Sequence, residues 1–237
     1  TSGVIGLMLE ANPDLGWRDV HNILAESAQL TGSDYGGSAL NVEHSQWGHN
    51  GASTWNGGGH AFNLSYGYGM VDAYAAVRMA EVWHDMHGAA RTSANEVTTS
   101  ADYTGSSVAI PEVGTATVAV NVATNIEIET ALVIVDITHS YSSDLEIALI
   151  SPDGAVIPMF VNETNASGST GFMASGLRWQ FEVTALRGLE SEGDWTLRVV
   201  DSETDDSGTI NDFSVTFFGA PVTDNDVHTI TEDFAAL

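Results

Sequence analysis

The chain has 237 residues, of which 32 are Asp or Glu and only 6 are Lys or Arg, so its formal net charge is −26. A surface this acidic repels a phosphate backbone, which argues against nucleic-acid binding. It suits a protein that binds a divalent cation, works in a saline medium or is secreted and very soluble. The length allows one large domain or two modest ones, and an apolar fraction of 43% argues against general disorder.

Covalent cross-links and membrane spans are both unexpected here. The sequence has no cysteine, so disulfide bonds cannot hold the fold together. No segment contains the roughly eighteen consecutive apolar residues that a membrane-spanning helix requires. We therefore expect a fold that is held by its own apolar core.

Helices are predicted in the first part of the chain. The dense apolar residues of 4–9 predict a buried helix that stops near Asn12 and Pro13. Apolar residues at helical spacing predict a second helix over 16–28 and a third over 72–87.

The connection between the second and third helices, 31–60, is rich in Gly, Ser, Asn and His. His44, His49 and His60 lie in it, either as metal ligands or as part of a loop that covers the domain. Their spacing matches no zinc signature and no cysteine assists them, which favours the loop.

Strands are predicted in the second part of the chain. A polar stretch over 91–107 predicts a linker, and from Val108 the apolar period changes from 3.6 to 2. Short alternating segments separated by turns are typical of an antiparallel sandwich or jelly roll. The last two segments, 193–201 and 212–218, predict a closing hairpin. The predicted fold class is α+β, with helices first and an all-β part after them.

Two segments of the helical part resemble subtilisin-like serine proteases of the kexin and furin, or proprotein convertase, branch. The segment SGVIGLMLEANPDLGWRDVHNILAESA, residues 2–28, is similar to the region directly after the catalytic serine. The segment FNLSYGYGMVDA, residues 62–73, is similar to the stretch that closes the catalytic domain.

Two segments of the β part resemble the P domain that follows the catalytic domain in this branch. They are SDLEIALISPDG at 143–154, and GDWTLRVVD with DDSGTINDFSVTFFG between 193 and 219. The resemblance implies a β jelly roll that stabilises the catalytic domain and takes part in its calcium and pH dependence.

The resemblance also implies a division of the chain. Residues 1–90 would be the C-terminal portion of the catalytic domain, 91–107 a linker, 108–220 the P domain, and 221–237 an acidic tail or the start of a further module. The predicted function is the C-terminal part of a secreted, bacterial, kexin-type serine endopeptidase that acts on protein or peptide substrates. Its partner would be the missing N-terminal part of the catalytic domain.

No catalytic residue is predicted within the chain. Ser2 lies too close to Pro13 for the family's register, and Gly3 and Val4 stand where the family has an alanine-rich step and a proline. The nucleophile, the Asp and His of the triad and the residues that select the substrate are therefore expected upstream.

Calcium is the predicted cofactor. Asp144 begins one strand, Asp201 ends another, and Asp205 and Asp206 lie in the turn that follows, so the four carboxylates could meet at one edge of the jelly roll and bind Ca²⁺. The alternative for these residues is turn formation and capping. The alternative for the whole chain is a non-catalytic, calcium-binding jelly-roll module that binds a carbohydrate or protein partner.

An exposed apolar patch is predicted where the upstream part is missing, around Val4, Leu7 and Trp17. For the same reason we expect residues 1–85 to be unstable or to aggregate alone, whereas 108–219 should fold.

Overall fold

The structure, a computed structural model, describes residues 1–31, 47–52, 60–141, 144–161 and 177–222. These residues form a mostly β protein with few helices. The helices are α1 Ser2–Ala11, α2 Trp17–Glu26 and α3 Ala73–His87, with a 3₁₀ turn at Ser93–Asn95. The strands are β1 Gly48–His49, β2 Ala61–Phe62, β3 Val97–Asp102, β4 Val108–Ile110, β5 Gly114–Val122, β6 Ile126–His139, β7 Leu145–Ile150, β8 Val156–Phe160, β9 Leu177–Val183, β10 Gly193–Asp201 and β11 Gly208–Pro221.

The three predicted helices are present, with ends close to those expected. α3 starts where Asp72 caps it by accepting a hydrogen bond from the amide of Ala75 at 2.9 Å. α1 ends before Asn12, whose side-chain amide donates to the carbonyl of Ala80 in α3 at 2.9 Å. α1 is thereby fixed against one side of α3.

The prediction that α1 is buried is wrong for most of the helix. Met8 is its buried residue, whereas the side chains of Leu7 and Leu9 are 51% and 40% exposed. The reason is that, in the described residues, α1 packs on one side only. Of the predicted patch, Leu7 and Trp17 are exposed, while Val4 is half-buried against the core.

The β part consists of two antiparallel sheets that share one core. One sheet has the strand order β5-β10-β7-β8, and the other has the order β3-β11-β6-β9, with β4 also paired to β11. The apolar faces of the two sheets meet, so that the rings of Trp195 in β10 and Phe217 in β11 lie 4.7 Å apart. Both side chains are fully buried.

The predicted closing hairpin is wrong, although both of its strands exist. β10 pairs with β5 and β7, whereas β11 pairs with β3, β4 and β6, so the two strands lie in different sheets. The alternation of apolar residues correctly identifies the buried face of each strand. It does not identify the neighbouring strand, because both strands bury that face in the same core.

The sheet begins earlier than predicted. Residues 97–102, within the expected linker 91–107, form β3 and pair with Ser214–Gly219 of β11. Their small, polar residues alternate between half-buried and exposed, a weak pattern that resembles a loop. Residues 223–237 of the predicted tail lie outside the described residues.

Candidate functional site: the interface between the helices and the sheets

The face of α2 that carries Arg18 and Asn22 lies against β6. These two residues are four positions apart and so point to the same side of the helix. Arg18 Nε donates to Glu129 Oε2 at 2.6 Å, and Asn22 Nδ2 donates to Glu129 Oε1 at 3.2 Å. The side chains of Arg18 and Glu129 are only 1% and 6% exposed, so this ion pair is shielded from water.

A β-bulge places Glu129 in this interface. Phe218 of β11 pairs with Thr130, and Gly219 pairs with Ile128, so Glu129 has no partner residue on β11. The bulge interrupts the alternation of the strand. The Glu129 side chain therefore faces α2 and does not follow the core-facing residues that come after it. Gly219 is required opposite the bulge, since a Cβ there would lie 1.8 Å from the carbonyl oxygen of Glu127.

Arg91, in the connection between α3 and β3, forms a second ion pair at the same place. Its NH1 lies 2.5 Å from Glu127 Oε1 and 3.0 Å from Glu129 Oε1. Burial alone would raise the pKa of Glu129, but Arg18, Arg91 and Asn22 outweigh it and hold that pKa below its ordinary value. Glu129 is therefore a buried carboxylate that is matched by cations of the helical part.

Asp19 ties the start of α2 to α3 and to the connection. It is fully buried, and its carboxylate accepts hydrogen bonds from the amide of Gly16 at 2.8 Å, the amide of Arg91 at 3.0 Å and the indole of Trp83 at 2.9 Å. Gly16 allows a close approach, since a Cβ there would lie 2.0 Å from the carbonyl oxygen of Arg91. The same carboxylate thus orients both Arg91 and the helix that carries Arg18.

The loop after β9 makes a second polar contact with the helical part. The side-chain amide of Asn50 donates to the carbonyls of Ala185 and Arg187 at 3.0 and 2.7 Å. Arg187 NH1 hydrogen-bonds Asn22 Oδ1, and the Tyr68 hydroxyl donates to the carbonyl of Thr184.

Burial shifts the pKa values of two titratable groups near this interface, His60 and Glu26. Burial, with a smaller contribution from Arg187, lowers the pKa of His60 to about 4, so this imidazole is neutral at physiological pH. Burial also raises the pKa of Glu26, at the end of α2, to about 7, and the nearby Glu127 adds to the effect.

The interface concentrates the scarce cations of the chain. Arg18, Arg91 and Arg187 are three of the six Lys and Arg residues in the sequence. Sequence reasoning missed all of them, as well as Glu129. One signal was available: core-facing residues are two apart at Ile126 and Ile128 but resume only at Ala131, which indicates a bulge between them.

The four predicted calcium ligands lie at one end of the sandwich. Asp201 pairs in register with Leu145, next to Asp144, and Asp205 and Asp206 are in the turn before β11. Partial desolvation and then the charges of Asp144, Asp201 and Asp205 raise the pKa of Asp206, with His139 opposing them. The other three carboxylates are therefore close enough to act on Asp206.

Asp201 has partners of its own. Its Oδ2 lies 3.1 Å from Nε2 of the fully buried His139, and its Oδ1 accepts from the amide of Glu203 at 3.2 Å. Among the described residues, no three His, Asp or Glu side chains are arranged to hold a metal ion. The four residues do not form a ready calcium site, and calcium binding stays a prediction.

Of the other residues considered, Ser2 lies exposed in the first turn of α1, and His44 lies outside the described residues. No helix in the described ranges is long and apolar enough to cross a membrane.

Comparison with known proteins identifies the family of the β part of the chain. Residues 128–217 match the family model described as "Proprotein convertase P-domain". The chain contains a P-domain of the proprotein convertase family. The match begins one residue before Glu129, so the bulge that faces the helices is part of the P-domain.

Curated relatives extend the likeness to the helical part. The chain is 30% identical to "Proprotein convertase subtilisin/kexin type 6" of Rattus norvegicus over 84% of its length, and 28% identical to "Kexin" of Candida albicans (strain WO-1) over its full length. It spans only 19% and 25% of those two proteins, respectively.

A solved structure shows the same fold. The chain matches the serine protease of Aeromonas sobria, crystallised in complex with the chaperone ORF2, with a TM-score of 0.68 at 21% identity. The match covers 94% of this chain and 43% of that protease chain. The likeness therefore includes the helices, the sheets and the way in which they are joined.

Proposed function

We propose that this chain is the C-terminal part of a secreted, kexin-type serine endopeptidase, in which the P-domain holds the end of the catalytic domain in place. The observation that carries the proposal is the buried contact of Glu129 with Arg18, Asn22 and Arg91. Removing one partner of a buried ion pair costs on the order of 3–5 kcal/mol. Contacts of this strength couple the folding of the helical part to that of the P-domain.

The proposal includes a jelly-roll topology for the β part. Leaving aside the short β4, the strands from β3 to β11 form two four-stranded sheets. In chain order, the first and last of these strands, β3 and β11, are neighbours in one sheet, and the second and seventh, β5 and β10, are neighbours in the other. This nesting of outer around inner strands is what two Greek keys in a jelly roll would produce, and it supports the proposal.

The proposed partner of the exposed face of α1 is the upstream part of the catalytic domain. Gly3 and Gly6 lie on this face, where a Cβ would meet no described atom within 4 Å, and Leu7 and Leu9 are beside them. Glycines and leucines on one helix face suit close packing against a second apolar surface. The share of the Aeromonas sobria protease that this chain leaves uncovered is large enough to supply that surface.

Replacement of Gly6 by leucine tests this partner. In the chain of 237 residues the new side chain has open space, so Gly6→Leu should raise the free energy of unfolding by up to about 1 kcal/mol through helix propensity. In the longer protein the same change should overpack the covered face and shorten the half-life of activity at elevated temperature. Urea unfolding of the chain and heat inactivation of the longer protein measure the two effects. Equal effects in both would contradict the proposed partner.

Fluorophosphonate labelling, read by intact mass, tests the endopeptidase itself. The longer protein should gain one label, and this chain, including Ser2, should gain none. A label on Ser2 would overturn the proposed register. A longer protein that takes no label would instead favour the non-catalytic binding module.

A further inference from the structure

We propose that β9 is a self-association edge, through which two copies of this chain pair as antiparallel strands about Gln180. β9 is the last strand in the order β3-β11-β6-β9, and within the described ranges its only paired neighbour is β6. An edge strand presents backbone amides and carbonyls that a second strand can complete.

The sequence of β9 is complementary to itself in this arrangement. In an antiparallel pair centred on Gln180, position 178 of one copy lies opposite position 182 of the other. Arg178 then faces Glu182 of the second copy on the outer side of the sheet, and the twofold axis repeats the ion pair. Arg178 and Glu182 are both exposed, and Arg178 is only 3.6 Å from Asp212 within its own copy.

The other side of the strand is complementary as well. Trp179 and Phe181 point to the core side of the sheet, as do their partners on β6, Val135 and Val133. Trp179 is nevertheless 42% exposed and Phe181 only half-buried, because both lie at the rim of the sandwich. Pairing about Gln180 would place Trp179 of one copy opposite Phe181 of the other and cover both rings.

The strongly negative charge of the chain opposes contact between two copies, whereas the β9 edge carries one of the few cations. Two copies with a net charge of −26 repel each other, so an unspecific contact is disfavoured at low salt. Arg178 is one of only six cations in the chain, and it lies beside the axis. We expect self-association to be weak at low salt and to strengthen as added salt screens the overall repulsion.

The absence of cysteine from the sequence allows a direct test by a single engineered thiol. In the proposed dimer the two copies of residue 180 are opposite each other, with Cα atoms about 4.5 or 5.5 Å apart. Both separations lie within the range of roughly 4.4–6.8 Å that a disulfide accepts. Gln180→Cys should therefore form a disulfide dimer under mild oxidation at least about tenfold faster than Asp153→Cys, an exposed turn residue away from the edge.

A charge exchange at the ion pair gives the second arm. In the Gln180→Cys background, Glu182→Arg should slow disulfide formation by placing Arg opposite Arg178, and adding Arg178→Glu should restore the rate. Glu146→Arg, the same charge change at an exposed position of the other sheet, is the matched control and should not slow disulfide formation, because it only lowers the overall repulsion. Circular dichroism confirms that each variant is folded. A Gln180→Cys rate equal to that of Asp153→Cys, or a double exchange that fails to restore the rate, would overturn the proposal.

Discussion

At the scale of single residues, the interface depends on which carboxyl groups are ionised and which side chains donate hydrogen bonds to them. Glu129 stays ionised because three side chains of the helical part donate to it, and Asp19 in turn holds the backbone of Arg91. Glu26 differs: one of its carboxylate oxygens is buried without a hydrogen-bond partner in the described part of the chain, and burial raises its pKa to about 7. This carboxyl group is thus a source of pH dependence.

The sign of that dependence follows from the shift. Because the pKa of Glu26 is higher in the folded chain than its ordinary value of 4.5, the folded state binds the proton more tightly. The contribution of Glu26 to the free energy of unfolding should therefore fall as pH rises from 4.5 to about 7 and then level off, whereas His60, whose pKa is lowered to about 4, contributes in the opposite direction. Glu26→Gln should remove this decline and be more stable than the parent at pH 8 by on the order of 2 kcal/mol.

Urea unfolding between pH 4 and 8 measures this prediction. Glu10→Gln, at an exposed position of α1, is the control and should follow the pH profile of the parent chain. A profile of Glu26→Gln that runs parallel to the parent would show that Glu26 is not the responsible group.

At the scale of elements, the bulge in β6 determines whether the two parts of the chain can meet. Without the bulge, the alternation of Ala131 and Val133 would place Glu129 on the core side, whereas the bulge leaves Glu129 on the same side as Glu127, where both reach Arg91. The bulge requires glycine at position 219, because any side chain there would clash with the carbonyl of Glu127.

Gly219→Ala tests the role of the bulge. The new methyl group forces the two strands apart, so we expect a loss of stability on the order of 3 kcal/mol. Gly3→Ala, where the methyl group meets open space, should instead be neutral or slightly stabilising. Urea unfolding measures both, and a Gly219→Ala chain as stable as its parent would contradict the proposed role of Gly219.

The elements also show what the sequence could predict. Alternation identified the buried faces around Trp195, Leu197, Val215 and Phe217, and helical spacing located α2 and α3. The pairing of β10 and β11 was mispredicted because a two-residue period carries no information about which strand lies alongside. β3 was missed because Thr and Ser dominate it, and the burial of α1 was overestimated because an apolar helix does not reveal what covers it.

The contacts of the interface could not be predicted from the sequence, for a similar reason. Glu129 and Arg18 are 111 positions apart, and although Arg18 lies in the segment 2–28 that resembles the family, nothing in the sequence links it to Glu129. Only the fold brings them together. The predicted calcium ligands, by contrast, were grouped from their position near strand ends, and the structure does place them at one end of the sandwich, with Asp201 engaged by His139.

At the scale of the whole molecule, the chain consists of a helical part and a P-domain that share a buried, ionic interface. Half of the Lys and Arg residues in a chain of net charge −26 lie there. Buried pairs of this kind contribute mainly through the cost of breaking them, because an unmatched charge is then left away from water. We therefore expect a substitution of Glu129 to destabilise the helical part, although the two are far apart in the sequence.

The measurement that tests this most directly is the heat inactivation of the longer protein carrying Glu129→Gln, with Glu146→Gln as the control on the other sheet. The fraction that still takes a fluorophosphonate label is followed over time at a fixed elevated temperature. We predict that freshly prepared Glu129→Gln takes the label, but loses this ability at least about tenfold faster than the parent, since a loss of about 3 kcal/mol acts on the catalytic domain through the interface. Glu146→Gln should match the parent. Equal half-lives for Glu129→Gln and the parent would contradict the account, because the P-domain would then not hold the catalytic domain in place through this contact.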